Sequence, residues 1–194
     1  MKQLQKDRSG HHRPALSRAL VCGIASMFFA APLFAASEEG SGENIAIGLS
    51  SNIVSSPLGQ GNAAQVVPGA VVDYSVSVTG PTLSGSAATS FMITDVIPEH
   101  LILFVGDLAR SGAGPAAFVD NDSDLEFSFE GLTSTDDSVE FSSDGGMTFD
   151  YIPVADADGF DQNVTHIKLR PRGVLLPVSG KYERFSLRYR MKVK

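Results

Sequence analysis

Aspartates cluster in two short stretches of this 194-residue chain, and grouped carboxylates are the ligands that calcium prefers. In VDNDSDLEF they alternate with other residues, and in DADGFD they surround a glycine. The first stretch lacks the central glycine and terminal glutamate of an EF-hand loop, so solvated turns are the alternative for both. Calcium is the sole cofactor candidate. The predicted ligands are Asp120, Asp122 and Asp124 in the first stretch and Asp156, Asp158 and Asp161 in the second.

Histidine, the side chain most often used in acid-base catalysis, is rare in this chain. Only His100 and His166 follow the first 36 residues, and no GxSxG nucleophile elbow is present. His166 precedes Ile167 in an alternating segment, so we expect it on a solvated strand face together with Lys168 and Arg170. Glycosidases use a pair of carboxylates, but in so acidic a chain no spacing distinguishes such a pair from the many other carboxylates. We predict no catalytic residue and a protein that is not an enzyme; a secreted hydrolase is the less favoured alternative.

The segment SSDGGMTF, residues 142–149, joins two alternating segments with a Ser-x-Asp-x-Gly-x-Thr-aromatic spacing. Asp144 can accept hydrogen bonds from turn amides, and Gly145 and Gly146 tolerate positive φ angles. Phe149 is placed to pack beneath the turn. The spacing resembles the Asp box of sialidases and other β-propeller proteins, which implies a blade hairpin away from the catalytic centre.

Sialidase-like proteins repeat the Asp box and place an arginine cluster at the substrate carboxylate, as that resemblance implies. Here the box occurs once, and Arg110 is the one basic residue between positions 37 and 167. A propeller also needs repeated blades of about 40 residues or more, and this chain has no internal repeat. We therefore predict an Asp-box hairpin with a tight turn between residues 142 and 147, and a structural role for it.

Basic side chains occupy one face of a predicted C-terminal strand, RFSLRYRMKV, residues 184–193. Phe185, Leu187 and Tyr189 alternate with them on the opposite face. The simpler hypothesis is an outer face that protects a sheet edge or balances acidic neighbours. The alternative is a docking strip for an acidic partner or an anionic envelope surface. The interaction candidates are Arg184, Arg188, Arg190 and Lys192.

The N-terminus has the pattern of a signal peptide. Five basic residues lie within the first 18, and the uncharged run ALVCGIASMFFA follows, too short for the roughly 20 residues that span a bilayer. Small residues in APLFAAS predict cleavage after Ala35 or Ala36. Residues 1–36 are thus expected to be removed, together with Cys22, the one cysteine of the chain. The product would be periplasmic or extracellular, at the cell surface, with no membrane span.

Removing 36 of 194 residues leaves 158, the size of a single domain, 37–194. This part holds 21 acidic and 10 basic residues, a net charge of −11. A chain this acidic is a poor general binder of nucleic acid, so we expect none as a partner. Without cysteine, thiol catalysis and Cys-ligated metals are excluded from it.

Hydrophobic residues alternate with polar ones along most of the chain, the period of half-buried strands. The pattern is present in 45–49, 71–78, 125–129, 138–142, 147–151, 165–170 and 184–193, and the further strand candidates are 90–96 and the apolar run 101–105. Turn sequences such as VPGA, TGPTLSGSA and DADG separate these segments, and no helical periodicity is found after the leader. About nine strands without helices predict an all-β fold, an antiparallel β-sandwich.

The segments VVPGAVVDYSVSVTG and SFMITDVIPEHLILFVGDL, within residues 44–108, carry a second resemblance. Pro68 and Gly69 form a turn, Tyr74 lies in an alternating strand, and Thr94 and Asp95 end another strand before Pro98. This arrangement resembles the immunoglobulin-like repeat domain of unknown function found in bacterial surface and secreted proteins, which implies an immunoglobulin-like sandwich. From the residues alone, Tyr74 is expected to fill the core, and Asp95 to cap a loop.

Together these patterns predict an exported, non-enzymatic structural or interaction module of the bacterial cell envelope, with an unknown envelope or surface protein as its partner. A calcium- or carbohydrate-binding β-sandwich module is the alternative. A subunit completed by a donated strand is a further one, which an apparently complete set of strands and the lack of a cysteine pair disfavour.

Overall fold

The computed structural model describes residues 21–24, 45–59, 64–80, 87–89, 91–121, 123–177 and 183–194. Thirteen strands and no helix are found in these ranges, and accordingly none of them contains a helix that could cross a membrane. The strands are β1 (Val21–Ile24), β2 (Ala46–Ser55), β3 (Val71–Thr79), β4 (Ala88–Thr89), β5 (Met92–Val96), β6 (Leu101–Phe104), β7 (Ala116–Asn121), β8 (Asp124–Glu126), β9 (Val139–Ser142), β10 (Phe160–Asp161), β11 (His166–Leu169), β12 (Arg172–Leu175) and β13 (Arg184–Val193).

The strands form two main sheets and one small one. The first main sheet has the order β1-β5-β11-β9, and the second has the order β10-β6-β13-β3-β2, with β7 also paired to β13. A three-stranded sheet, β4-β12-β8, completes the set. Every ladder is antiparallel except the pairing of β1, which lies within the predicted leader and runs parallel to β5. The predicted all-β sandwich is confirmed, with more strands than the nine expected.

The hydrophobic core lies between the two main sheets, because alternate residues of each strand point to the same side. Val76 and Leu187 are fully buried neighbours on the second sheet, and Ile167 is fully buried on the first. Phe91 contacts Phe185 edge to face with ring centroids 5.5 Å apart. Each such buried side chain contributes about 1.5–3 kcal/mol to folding.

Two segments that alternate in sequence are not the strands expected from them. Residues 147–151 form no strand after the turn at 142–147, and Met147 is 80% exposed. Here the Tyr151 amide donates to the Phe141 carbonyl, and the Tyr151 hydroxyl donates to Asp161. The predicted strand 125–129 is reduced to β8, after which Phe127 and Phe129 still pack against the core.

Candidate functional site

The turn at 142–148 is held together by the carboxylate of Asp144. Its Oδ1 accepts the Met147 and Thr148 amides at 3.0 Å and the Ser142 hydroxyl at 2.7 Å, and its Oδ2 accepts the Thr148 hydroxyl at 2.9 Å. The Thr148 amide and then the Ser142 hydroxyl lower the pKa of Asp144 to about 2, because both stabilise the charged form. The carboxylate is thus occupied by the turn that contains it.

The two glycines of this turn have φ angles of +79° at Gly145 and +84° at Gly146, which a side chain disfavours. Phe149 then turns back against β11, where the Lys168 ammonium lies 3.5 Å from its ring centroid. His166 meets the same ring edge-on, with centroids 6.4 Å apart. His166 and Lys168 share the half-buried outer face of β11, while Ile167 is buried beneath them, as the alternation predicts.

The first acidic stretch does not gather its carboxylates within the described residues. Asp120 lies at the end of β7, where its Oδ1 accepts the Ser123 amide at 2.7 Å. Asp124 is exposed at the start of β8, opposite Val174. Asp122 lies outside the described residues.

The second acidic stretch is divided between two environments. Asp156 accepts the Asp158 and Phe160 amides at 2.9 and 2.8 Å, and the Lys192 ammonium lies 3.3 Å from Asp158 Oδ2. The Phe160 amide, which donates to the charged carboxylate, is the main cause that lowers the pKa of Asp156. Asp161 instead points inward and is buried.

Asp161 is hydrogen-bonded on both oxygens. Oδ2 accepts the Tyr151 hydroxyl at 2.9 Å and the Val154 amide at 2.7 Å, and Oδ1 accepts the Asn163 amide at 2.8 Å. Across the described ranges, no group of three or more His, Cys, Asp or Glu side chains could hold a metal ion. The calcium sites stay predictions.

The basic C-terminal strand lies in the interior of its sheet. β13 pairs with β3 on one side and with β6 and β7 on the other, so the hypothesis that it protects an edge is wrong. The alternation itself is confirmed, since Phe185, Leu187 and Tyr189 are buried.

The basic groups of β13 face acidic neighbours on the same sheet. Arg188 Nη1 lies 2.5 Å from Asp73 Oδ2, and Arg190 Nε lies 2.6 Å from Asp73 Oδ1. Burial raises the pKa of Asp73, but hydrogen bonds from Arg190 and Arg188 outweigh it, so this pKa lies below its usual value. Lys192 contacts Asp158 and the face of the Phe160 ring, whereas Arg184 is exposed. Three of the four interaction candidates therefore have partners within the chain.

A buried ionisable contact that the sequence patterns did not identify joins the two main sheets. Asp95 is 3% exposed in β5, and its Oδ2 accepts a hydrogen bond from the Tyr189 hydroxyl of β13. The prediction that Asp95 caps a loop is wrong, because the carboxyl points into the core. The alternation of MITDV contained the signal, since Asp95 shares a strand face with the buried Ile93.

Burial raises the pKa of Asp95, although the hydrogen bond from Tyr189 opposes this shift. Its Oδ1 is buried without a hydrogen-bond partner. Burial and then the nearby charge of Asp95 also raise the pKa of Tyr189. A buried oxygen without a hydrogen-bond partner costs about 1–3 kcal/mol of folding free energy. Such unsatisfied groups are characteristic of strained or functional positions.

The chain matches no known protein family, no curated protein and no solved structure.

Proposed function

We propose that this chain is an exported, non-enzymatic structural or interaction module of the bacterial cell envelope. The observation that carries the proposal is that its best-placed carboxylates bond to the chain itself. Asp144 closes its own turn, Asp161 ties residues 151–154 to β10, and Asp73 joins β3 to β13. These groups stabilise the fold of a binding or structural domain.

Export is the second part of the proposal, and the leader pattern of residues 1–36 supports it. Such a leader directs a chain to the periplasm or beyond, where residues 37–194, which contain no cysteine, would fold independently of disulfide formation.

The immunoglobulin-like architecture belongs to the same proposal. Pro68 and Gly69 form a turn immediately before β3, with Gly69 at a φ of +87°. Tyr74 packs against the core, and β5 and β6 flank the turn at Pro98 as in the repeat domain that the sequence resembles. This resemblance adds support for an envelope location.

Fractionation of a Gram-negative host that expresses the full-length gene with a C-terminal tag tests the proposal. We expect the tagged chain in the periplasm or the medium, with a mass that corresponds to a start at Ala36 or Ser37. The variant Val21→Arg, which puts a charge into the apolar run, should leave the uncleaved precursor in the cell. An uncleaved wild-type chain in the cytosol would refute the proposal.

A further inference from the structure

Within the described residues, the second main sheet ends in a long edge strand that is paired on one side only. β2 has ten residues and is the last strand of that sheet, paired with β3 from Ala46 to Ser55. Alternate backbone N–H and C=O groups of an edge strand point away from the sheet and can pair with another strand. The ladder is irregular only between Ile53 and Ser55, so most of the edge is regular.

Two of the features that commonly prevent an edge strand from pairing, charged side chains and prolines, are missing from β2, and its one irregularity is confined to the end at Ile53–Ser55. The chain has no Asp, Glu, Lys or Arg between Asn44 and Val72, and β2 has no proline. The outer face of β2 consists of small or uncharged residues: Ala46, Gly48, Ser50 and Asn52. Natural sheets place charges, prolines or bulges on exposed edges to prevent pairing.

The other outer strands contrast with β2. β9 has four residues and carries Glu140, and β8 has three and carries Asp124 and Glu126. β1 and β4 are also uncharged outer strands, but they have only four and two residues, so it is the combination of length and lack of charge that distinguishes β2 among the outer strands of the described ranges.

Leu49 gives the edge an exposed apolar side chain that a further strand could bury. It is paired with the fully buried Val76 in the ladder and therefore shares the core side of the sheet, yet it is 57% exposed. The core ends here, and a further strand beside β2 would cover Leu49. Burial of an apolar side chain of this size is favourable by about 1.5–3 kcal/mol.

A second copy of the chain supplies an occupant that matches this edge in length and in lack of charge. Residues 37–194 have a net charge of −11, so two copies repel each other over most of their surfaces. The uncharged edge avoids this repulsion, and a second β2 is an uncharged edge of equal length. A two-fold axis perpendicular to the sheet, beside the middle of β2, would bring two such edges together antiparallel. Both inner faces would then lie on the same side of one continuous sheet.

We propose that β2 pairs antiparallel with β2 of a second copy of this chain. The proposal rests on the proposed function and names the partner of an interaction module. Because the inner faces of the two copies lie on the same side of the sheet, inward-facing residues of one β2 lie opposite inward-facing residues of the other. Each Leu49 therefore lies beside an inward-facing residue of its partner.

Sedimentation equilibrium of the purified protein, from about 1 µM to about 1 mM, tests this pairing. One strand pair buries less surface than the roughly 1,600 Å² of a standard interface, so we expect a dimer with a Kd of about 10 µM to 1 mM. Leu49→Lys and Ser50→Lys place a charge on the inner and outer faces of the edge, respectively. Each should weaken the dimer at least tenfold, because the charges of the two copies meet at the axis.

Met147→Lys is the matched control, since it adds the same charge at an exposed turn outside all strands. It should leave the Kd within about twofold of the wild-type value. Circular dichroism and thermal melts establish that the variants are folded.

Salt distinguishes this dimer from one made by the basic face of β13. Added NaCl screens the repulsion between acidic chains and should strengthen pairing through an uncharged edge, whereas contact between Arg184 and acidic groups would weaken. A chain that is monomeric up to about 1 mM, a dimer insensitive to both edge variants, or a dimer that dissociates with salt would each overturn the proposal. These outcomes do not depend on where the chain is located in the cell. The cellular location tests the proposed function, so the two proposals can fail independently.

Discussion

The Tyr189 hydroxyl donates a hydrogen bond to Asp95 Oδ2 inside the core and thereby links β13 of one main sheet to β5 of the other. Both residues are almost completely buried. The link combines a raised carboxyl pKa with an unsatisfied oxygen, so it makes the stability of the fold depend on pH in a direction opposite to that of most acidic side chains.

The pH dependence can be isolated with Asp95→Asn. The pKa of Asp95 is above its ordinary value of 3.8 in the folded chain, so its favourable contribution is complete below that value and is lost as the pH rises through the folded pKa. We therefore expect the unfolding free energy of the variant to rise relative to wild type between pH 3.8 and neutral pH. Urea denaturation across this range measures the difference; a difference independent of pH would contradict the assignment.

Removing the donor is the complementary experiment. Tyr189→Phe keeps the ring but leaves both oxygens of Asp95 without a side-chain partner, and should cost about 1–3 kcal/mol of unfolding free energy at neutral pH. Tyr74→Phe is a matched control, since Tyr74 stacks on Tyr189 with ring centroids 6.1 Å apart but lies at a less buried position. Equal losses in the two variants would argue against a special role for the link.

The two glycines of the turn at 142–148 should differ in how well they tolerate alanine. Alanine at Gly145 requires an unfavourable positive φ but meets no atom within 4 Å, so its cost is about 1–2 kcal/mol. Alanine at Gly146 has the same backbone cost and would also place its Cβ 3.1 Å from the His166 ring. Gly146→Ala should therefore destabilise the fold more than Gly145→Ala in urea denaturation, and the reverse order would show that the turn is arranged differently.

The ion pairs of β13 should differ in strength with their burial. Asp73→Ala leaves Arg188 and Arg190 without their partner and should cost about 1–2 kcal/mol, since Asp73 is only 6% exposed. Asp158→Ala breaks an exposed pair with Lys192 and should cost less than about 0.5 kcal/mol. Thermal melts in low and high salt compare the two. A large, salt-sensitive loss in Asp158→Ala would contradict this ranking.

Calcium binding is testable by its effect on the melting temperature. Because the oxygens of Asp156 and Asp161 already accept backbone amides, we expect millimolar calcium to leave the melting temperature of the wild type unchanged. A ligand that binds only the folded state must raise it. A rise with calcium but not with magnesium, abolished by Asp122→Asn or Asp158→Asn, would instead establish a calcium site.

Five strands lie within one residue of their expected ranges. β3, β9, β11 and β13 alternate clearly, and a period of two is a local property of extended backbone. β6 is instead a short continuous apolar run, which is typical of a buried strand. The segment at 147–151 shows the limit of this argument. Its residues alternate, but after the glycine turn Phe149 packs on Lys168 instead of entering a ladder.

Candidate residues were predictable by type but not by partner. The acidic stretches and the basic face of β13 are evident from composition. Their environments are not, since Asp156 lies beside Lys192 while Asp161 is buried, although only five positions separate the two aspartates.

The sequence by itself determined the all-β class, the inward face of each regular strand and the uncharged stretch that contains β2, since all three depend on neighbours along the chain. Only the tertiary structure decided which strands are central and which are edges. Asp73 and Arg190 are 117 positions apart, and Asp95 and Tyr189 are 94 positions apart, yet each pair is in contact. Such contacts arise from strand order and sheet packing, which no local periodicity encodes.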